Sequence, residues 1–224
     1  MRLKMKLNNK WSYIVAIGFS VIILILIGVR IAKYRSTNKT RIAQVNIQEE
    51  RPLDIVFGNH DAKLSIYMYS SYSCSYCTLF FTDVFPELEK EYINSGEVKL
   101  ILRLTVKSNN IDIQNAMKTA VCINKYGNYE YLHELLLNDS KVVVTHEFRD
   151  MVNSFIDKDI YVAECILGNE AEEYLNKNVQ DYETLKLKGT PTFIIGNKIY
   201  TGYQDYEKFE QIITHHLNES HLPN

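Results

Sequence analysis

Residues 63–77 read Lys63-Leu64-Ser65-Ile66-Tyr67-Met68-Tyr69-Ser70-Ser71-Tyr72-Ser73-Cys74-Ser75-Tyr76-Cys77, and their character changes midway. The first seven are β-rich and bounded by polar residues, the pattern of a strand. From Cys74 to about residue 94 the pattern is helical, with Leu79, Phe80, Val84, Phe85 and Leu88 at helical spacing. Pro86 is expected to kink or split that helix, because it lacks an N–H and clashes with the preceding turn. Residues 99–106 form a second apolar run of β character. A strand, a crossover helix and a strand of this length make a βαβ unit with parallel strands.

Beyond this unit, residues 109–186 carry helical periodicity broken near Gly127, at 138–140 and near Gly168, which predicts a helical block of four or five segments. Residues 192–202 read as two short strands around a Gly196-Asn197 turn. An amphipathic helix over 206–217, carrying Phe209, Ile212 and Ile213, closes the chain. No repeat or Pro/Gly-rich break interrupts 52–220, so that stretch is expected to be one α/β domain with a helical insertion over about 109–186.

Toward the amino terminus, residues 11–29 are 19 consecutive uncharged residues, mostly Ile, Val and Leu. As a helix they span roughly 28 Å, close to the hydrocarbon thickness of a bilayer. The rival reading is a cleaved signal peptide. Charged Arg30, Lys33 and Arg35 stand where a peptidase needs small neutral residues, so an uncleaved signal-anchor over 11–32 is expected. Residues 1–10 then form a basic cytoplasmic tail, and the polar residues 33–51 a tether. Lys and Arg flank the apolar run on both sides, so charge does not orient it.

Residues 1–41 hold nine Lys and Arg and no acid, which leaves 16 bases against 27 acids in the remainder. That acidic excess argues against binding a phosphate backbone, and no nucleic-acid partner is expected.

The chemistry-bearing motif is Cys74-Ser75-Tyr76-Cys77, at the junction of a strand end and a helix start. Unpaired N–H groups at a helix amino terminus favour a thiolate, so Cys74 is expected to be the attacking sulfur. Cys77, almost a turn further in, is expected to be the buried resolving sulfur. Half of a zinc site and inert packing are the competing readings. Zinc needs four ligands, whereas Cys122 and Cys165 stand alone and His215-His216 is an adjacent pair, so no metal site is expected.

Over about residues 52–218 the chain resembles the DsbA-like branch of the thioredoxin superfamily. The resemblance rests on Phe57-Gly58-Asn59-His60-Asp61-Ala62-Lys63, the Cys74–Cys77 motif, Pro86 nine residues on, and Gly189-Thr190-Pro191-Thr192-Phe193 followed by Gly196. It implies a thioredoxin fold with an inserted helical subdomain, a cis peptide before Pro191, and thiol–disulfide exchange with extracytoplasmic proteins. A cis Thr190–Pro191 bond would present the Thr190 backbone beside the dithiol, where an extended client can pair with it as an added strand.

Two departures concern redox poise. Ser75 stands where the branch often has Pro, and Tyr76 replaces the His of its strongest oxidants, which removes a positive charge and implies a less oxidising couple. Met68, six residues before Cys74, occupies a position where many thioredoxin-fold enzymes keep a buried carboxylate. Cys122 and Cys165 fall where some DsbA-like proteins have a second disulfide. Bridged, they would contribute about 4 kcal/mol by loop entropy, and the alternative is a pair of buried free thiols. Of Tyr72, Tyr76, Tyr200 and Tyr203, expected near the active face, only Tyr76 is expected to border the dithiol.

The function these features imply is a membrane-anchored thiol–disulfide oxidoreductase at the cell membrane, its domain outside the cytoplasm, that introduces disulfides into extracytoplasmic proteins through the Cys74–Cys77 pair. Its clients would be folding secreted or envelope proteins, and it would need no metal or organic cofactor. A membrane reoxidase of the DsbB or vitamin K epoxide reductase (VKOR) type is the implied partner. A reductase or isomerase for a narrow client set and a non-catalytic peptide-binding chaperone remain the alternatives.

Overall fold

The computed structural model describes residues 9–44, 49–105, 111–127, 129–138 and 140–220. Most of the basic tail (1–8), part of the tether (45–48), the end of the second expected strand (106), the start of the helical block (109–110) and residue 139 of one expected break lie outside them.

A five-stranded mixed sheet in the order β1-β3-β2-β4-β5 forms the centre. Strands β2 (Leu64–Ser70) and β3 (Val98–Leu104) pair in parallel, as the crossover requires. Strand β1 (Ile55–Phe57) adds antiparallel to β3, and β4 (Thr192–Ile195) and β5 (Lys198–Thr201) form an antiparallel hairpin beside β2. Gly196 sits in the hairpin turn at φ 55°, a conformation that favours glycine. The sequence reading does not contain β1, since three residues are too few to display a period of two.

Alternation along β2 divides the core. Leu64, Ile66 and Met68 face one side with Phe80, Phe193 and Phe209; Tyr67 and Tyr69 face the other with Ile101, Tyr182 and Ile194. The three phenylalanine rings meet at centroid distances of 4.8 to 5.3 Å and join the crossover helix, β4 and the last helix. The crossover continues past Pro86 without splitting. It runs as α2 (Ser75–Leu79), a π-helical turn (Phe80–Val84), α3 (Phe85–Leu88) and a second π-helical turn (Glu89–Ile93). Pro86 lies in the first turn of α3, where its missing N–H costs least, and the wider π turns absorb the distortion.

The helical block comprises α4 (Ile111–Tyr126), α5 (Tyr129–Asn138), a 3-10 turn (Ser140–Val144), α6 (His146–Lys158), α7 (Ile160–Leu167) and α8 (Glu170–Thr184). Asp159 makes the break between α6 and α7: its carboxylate accepts from the N–H groups of Tyr161 and Val162. Helix α9 (Tyr206–Ser220) packs beside the crossover helix. Helix α1 (Asn9–Gln44) contains an apolar stretch, Tyr13–Thr37, long and apolar enough to cross a membrane. It also continues to Gln44, so residues 33–44, expected as tether, are helical.

A buried polar cluster ties the sheet to the block. Arg103, 0% exposed on β3, donates to the Asp54 carboxylate at 2.9 Å, and Tyr174 of α8 donates to the other Asp54 oxygen at 2.7 Å. Asn178 donates to the Leu104 carbonyl, and Arg51 pairs with Asp181. Asp54 is thus satisfied by a charge and a hydroxyl, which offsets the cost of burying it.

Candidate active site

Cys74 is the cap of α2, in extended backbone conformation, and its carbonyl accepts from the N–H groups of Cys77 and Thr78. The Cys74 thiol donates to the carbonyl oxygen of Thr190 at 3.2 Å. This contact follows from register. Tyr69 of β2 pairs with Thr192 of β4, so the segment entering β4 passes the residues that lead from β2 into α2. The Thr190–Pro191 peptide is cis, and Pro191 is buried.

The sulfurs differ sharply. A hydrogen bond from the Cys77 thiol pushes the Cys74 pKa down to about 5, with help from the Thr190 side chain and the N–H groups of Cys77 and Tyr76, against an opposing effect of burial. The same hydrogen bond, seen from its donor, together with burial, pushes Cys77 far up; the Ser70 side chain and the Ser71 N–H act against this. Cys77 is 1% exposed, whereas Cys74 is half-buried. Both cysteines are thiols here, so the arrangement is that of the reduced pair. It gives one poised nucleophile and one proton-holding partner.

Ser75 and Tyr76 are exposed, Tyr76 at 60%. Tyr72 is buried instead, its hydroxyl bonded to Tyr129 and 3.3 Å from His133 Nδ1. Tyr200 bonds His216 at 3.0 Å. Tyr182, not anticipated from sequence, is buried on α8, and the Cys74 charge contributes to raising its pKa after burial itself. Nothing in the spacing of the helical block marks Tyr182. Ser70 has a visible signal, the polar terminus of an apolar alternation. Cys122 on α4 and Cys165 on α7 form a buried disulfide. Among the described residues no group of three or more His, Cys, Asp or Glu is placed to hold a metal.

A central mixed sheet, a dithiol capping the crossover helix and a cis-proline segment against it define a thioredoxin-fold dithiol protein. The chain belongs to the thioredoxin family, which matches residues 50–215. Its likeness is to the DsbA-like branch: α-DsbA1 of Wolbachia pipientis superposes with a TM-score of 0.63 at 19% identity, over 79% of this chain and 96% of that one. A Rickettsia bellii protein named as a protein-disulfide oxidoreductase is 24% identical over 174 residues, 75% of this chain and 66% of the relative. Disulfide bond formation protein D of Bacillus subtilis is 20% identical over 179 residues, 72% of this chain and 76% of the relative. The chain thus spans just under two thirds of the length of the Rickettsia relative.

Proposed function

We propose that the chain is a membrane-anchored thiol–disulfide oxidoreductase that passes a Cys74–Cys77 disulfide to secreted or envelope proteins as they fold. The observation that carries this reading is Cys74 itself, a helix-capping sulfur against the Thr190 main chain with its charged form favoured down to about pH 5. Stabilising the reduced form makes the disulfide a better oxidant, which favours the oxidising direction. The names of the relatives support the same chemistry.

A client thiolate attacks Cys74, Cys77 leaves, and a second client thiol resolves the mixed disulfide. The Thr190 main chain beside Pro191 pairs with extended client segments, so selection is broad in sequence. Helix α1 is the anchor, with residues 1–10 cytoplasmic and the domain outside. A membrane partner of the DsbB or VKOR type restores the disulfide, and the sulfur pair does the redox work without a metal or organic cofactor.

The test is the reduction potential of the Cys74–Cys77 couple, measured against glutathione on the full chain in detergent, with Cys74→Ala as the blank for Cys122 and Cys165. A potential between about −120 and −180 mV is expected; one near about −270 mV replaces the oxidase with a reductase.

A further inference from the structure

Between α1 and the sheet lies a cavity of about 510 Å³ that the redox chemistry does not use. Its α1 wall is Arg30, Ile31, Tyr34 and Arg35, positions i, i+1, i+4 and i+5 of a helix, which share one face. Its other wall includes Lys198, Ile199 and Tyr200 of β5. Successive side chains of a strand point to opposite faces of the sheet, so a cavity that meets three in a row runs along the strand's edge.

That edge offers a main-chain donor. Strand β5 ends the strand order, with β4 as its neighbour. In an antiparallel pair, residues alternate between bonding their opposite number and turning their N–H and C=O outward. The Gly202 N–H donates to the Pro191 carbonyl at 2.8 Å, which makes the opposed Thr192 and Thr201 a pair of the second kind. Two positions back along β5, Ile199 opposite Ile194 is of the same kind, so its N–H points away from β4. The main chain of α1 cannot take this N–H, because its carbonyls are bonded within the helix.

Charge and position specify the occupant. Arg30 is the first charge after the 19 uncharged residues 11–29, so with α1 in a bilayer the cavity opens where hydrocarbon gives way to headgroups. Ile31 and Tyr34, 48% and 61% exposed, give it an apolar floor. No carboxylate lines it among the described residues. Lys198 is already engaged, donating to His215 at 2.6 Å and standing 3.4 Å from Glu219, which leaves the Arg30 and Arg35 guanidiniums as the uncompensated charges. Two guanidiniums and an N–H beside apolar side chains suit a phosphodiester that carries hydrocarbon.

We infer that this cavity binds the headgroup phosphate of an anionic phospholipid, with Arg30 and Arg35 on the phosphate, the Ile199 N–H as a further donor, and the first carbons of the lipid on Ile31 and Tyr34. The inference rests on the anchored reading above and gives that anchor a lipid preference. A seated lipid also covers a strand edge that could otherwise pair with another extended chain.

The experiment titrates the full chain in detergent with phosphatidylglycerol or phosphatidylcholine and counts bound lipid by native mass spectrometry. Phosphatidylcholine carries the same phosphate with a cation of its own, so it is expected to bind about ten-fold more weakly. Arg30→Gln and Arg35→Gln should each weaken phosphatidylglycerol about five-fold. Lys33→Gln removes the same charge from another face of α1 and should change binding less than two-fold. Equal affinity for the two lipids overturns the inference, and so does an equal loss in Lys33→Gln, which would mean diffuse attraction. Inorganic phosphate that displaces the lipid at equal concentration overturns it too, in favour of a soluble anion. A chain that alkaline carbonate strips from membranes overturns the anchored reading itself, whereas a chain that stays in the bilayer and shows no lipid preference overturns the lipid site alone.

Discussion

Cys74 Sγ lies 3.2 Å from the carbonyl oxygen of Thr190, a residue 116 positions along the chain. Thr190 therefore acts on Cys74 in two opposed ways: its carbonyl accepts from the thiol and favours the neutral form, while its side chain favours the thiolate. The low Cys74 pKa is the net result, in which the Cys77 hydrogen bond is the largest contribution.

Reduced protein titrated at 240 nm should show a thiolate appearing near about pH 5, and iodoacetamide should label Cys74 at a rate nearly constant from pH 7 to 8 with Cys77 spared. The folded value lies below the ordinary value of 9.0, so its contribution to the reduced protein is complete above that value and is lost as pH falls through about 5. Melting of the reduced form relative to the oxidised form should accordingly rise across that window.

Thr190→Val keeps the carbonyl and removes the side-chain hydroxyl. The Cys74 titration should move from about 5 toward about 6. An unchanged midpoint would assign the low pKa to Cys77 and the helix amino terminus alone.

Arg103→Met leaves Asp54 buried beside Tyr174 without its cation. Denaturant unfolding should show a loss of about 3 to 5 kcal/mol, while Arg103→Met combined with Asp54→Leu recovers much of it. Equal losses in the single and double variants would mean that packing, not charge, is at issue.

His133 is 8% exposed and burial depresses its pKa to about 4, with Nε2 lacking a hydrogen-bond partner among the described residues. The unfolded chain takes up this proton near pH 6.5 and the folded chain does not, so folding stability falls as pH drops from about 6.5 to about 4. The loss is on the order of 3 kcal/mol, and unfolding at the two ends of that window should reveal it. His133→Phe should flatten that slope relative to wild type; an undiminished slope would place the acid sensitivity elsewhere.

Cys122 and Cys165, 43 positions apart, bridge α4 to α7. Replacing both with Ala should lower stability by about 4 kcal/mol through the freed loop and leave the glutathione equilibrium of Cys74–Cys77 unchanged.

The parallel β2–crossover–β3 unit, the hairpin and the closing helix were legible because each rests on local pattern and turn chemistry. The capping position of Cys74 was legible for the same reason. Asp159 was hidden because an acid at a helix start and an acid on a solvated helix face look alike in sequence. The helical state of residues 33–44 was hidden because its Lys, Arg, Ala and Gln serve a tether and a helix equally well. Tyr182 and the Arg103–Asp54 pair depend on which chain segments meet in space, which the periodicity of a single strand or helix does not record.

The unbroken course of α1 to Gln44 bears on how the domain would explore its surroundings if that helix is the anchor. Thirty-six residues measure about 54 Å along a helix, and a bilayer core would take up about 30 Å of that, so about 20 Å would stand clear. The domain does not ride at the far end of that stretch: β5 lies against the helix, where Arg30, Ile31, Tyr34 and Arg35 share a cavity with Lys198, Ile199 and Tyr200. An anchored domain would therefore lean on its own stem close to the lipid headgroups, instead of swinging out on a tether.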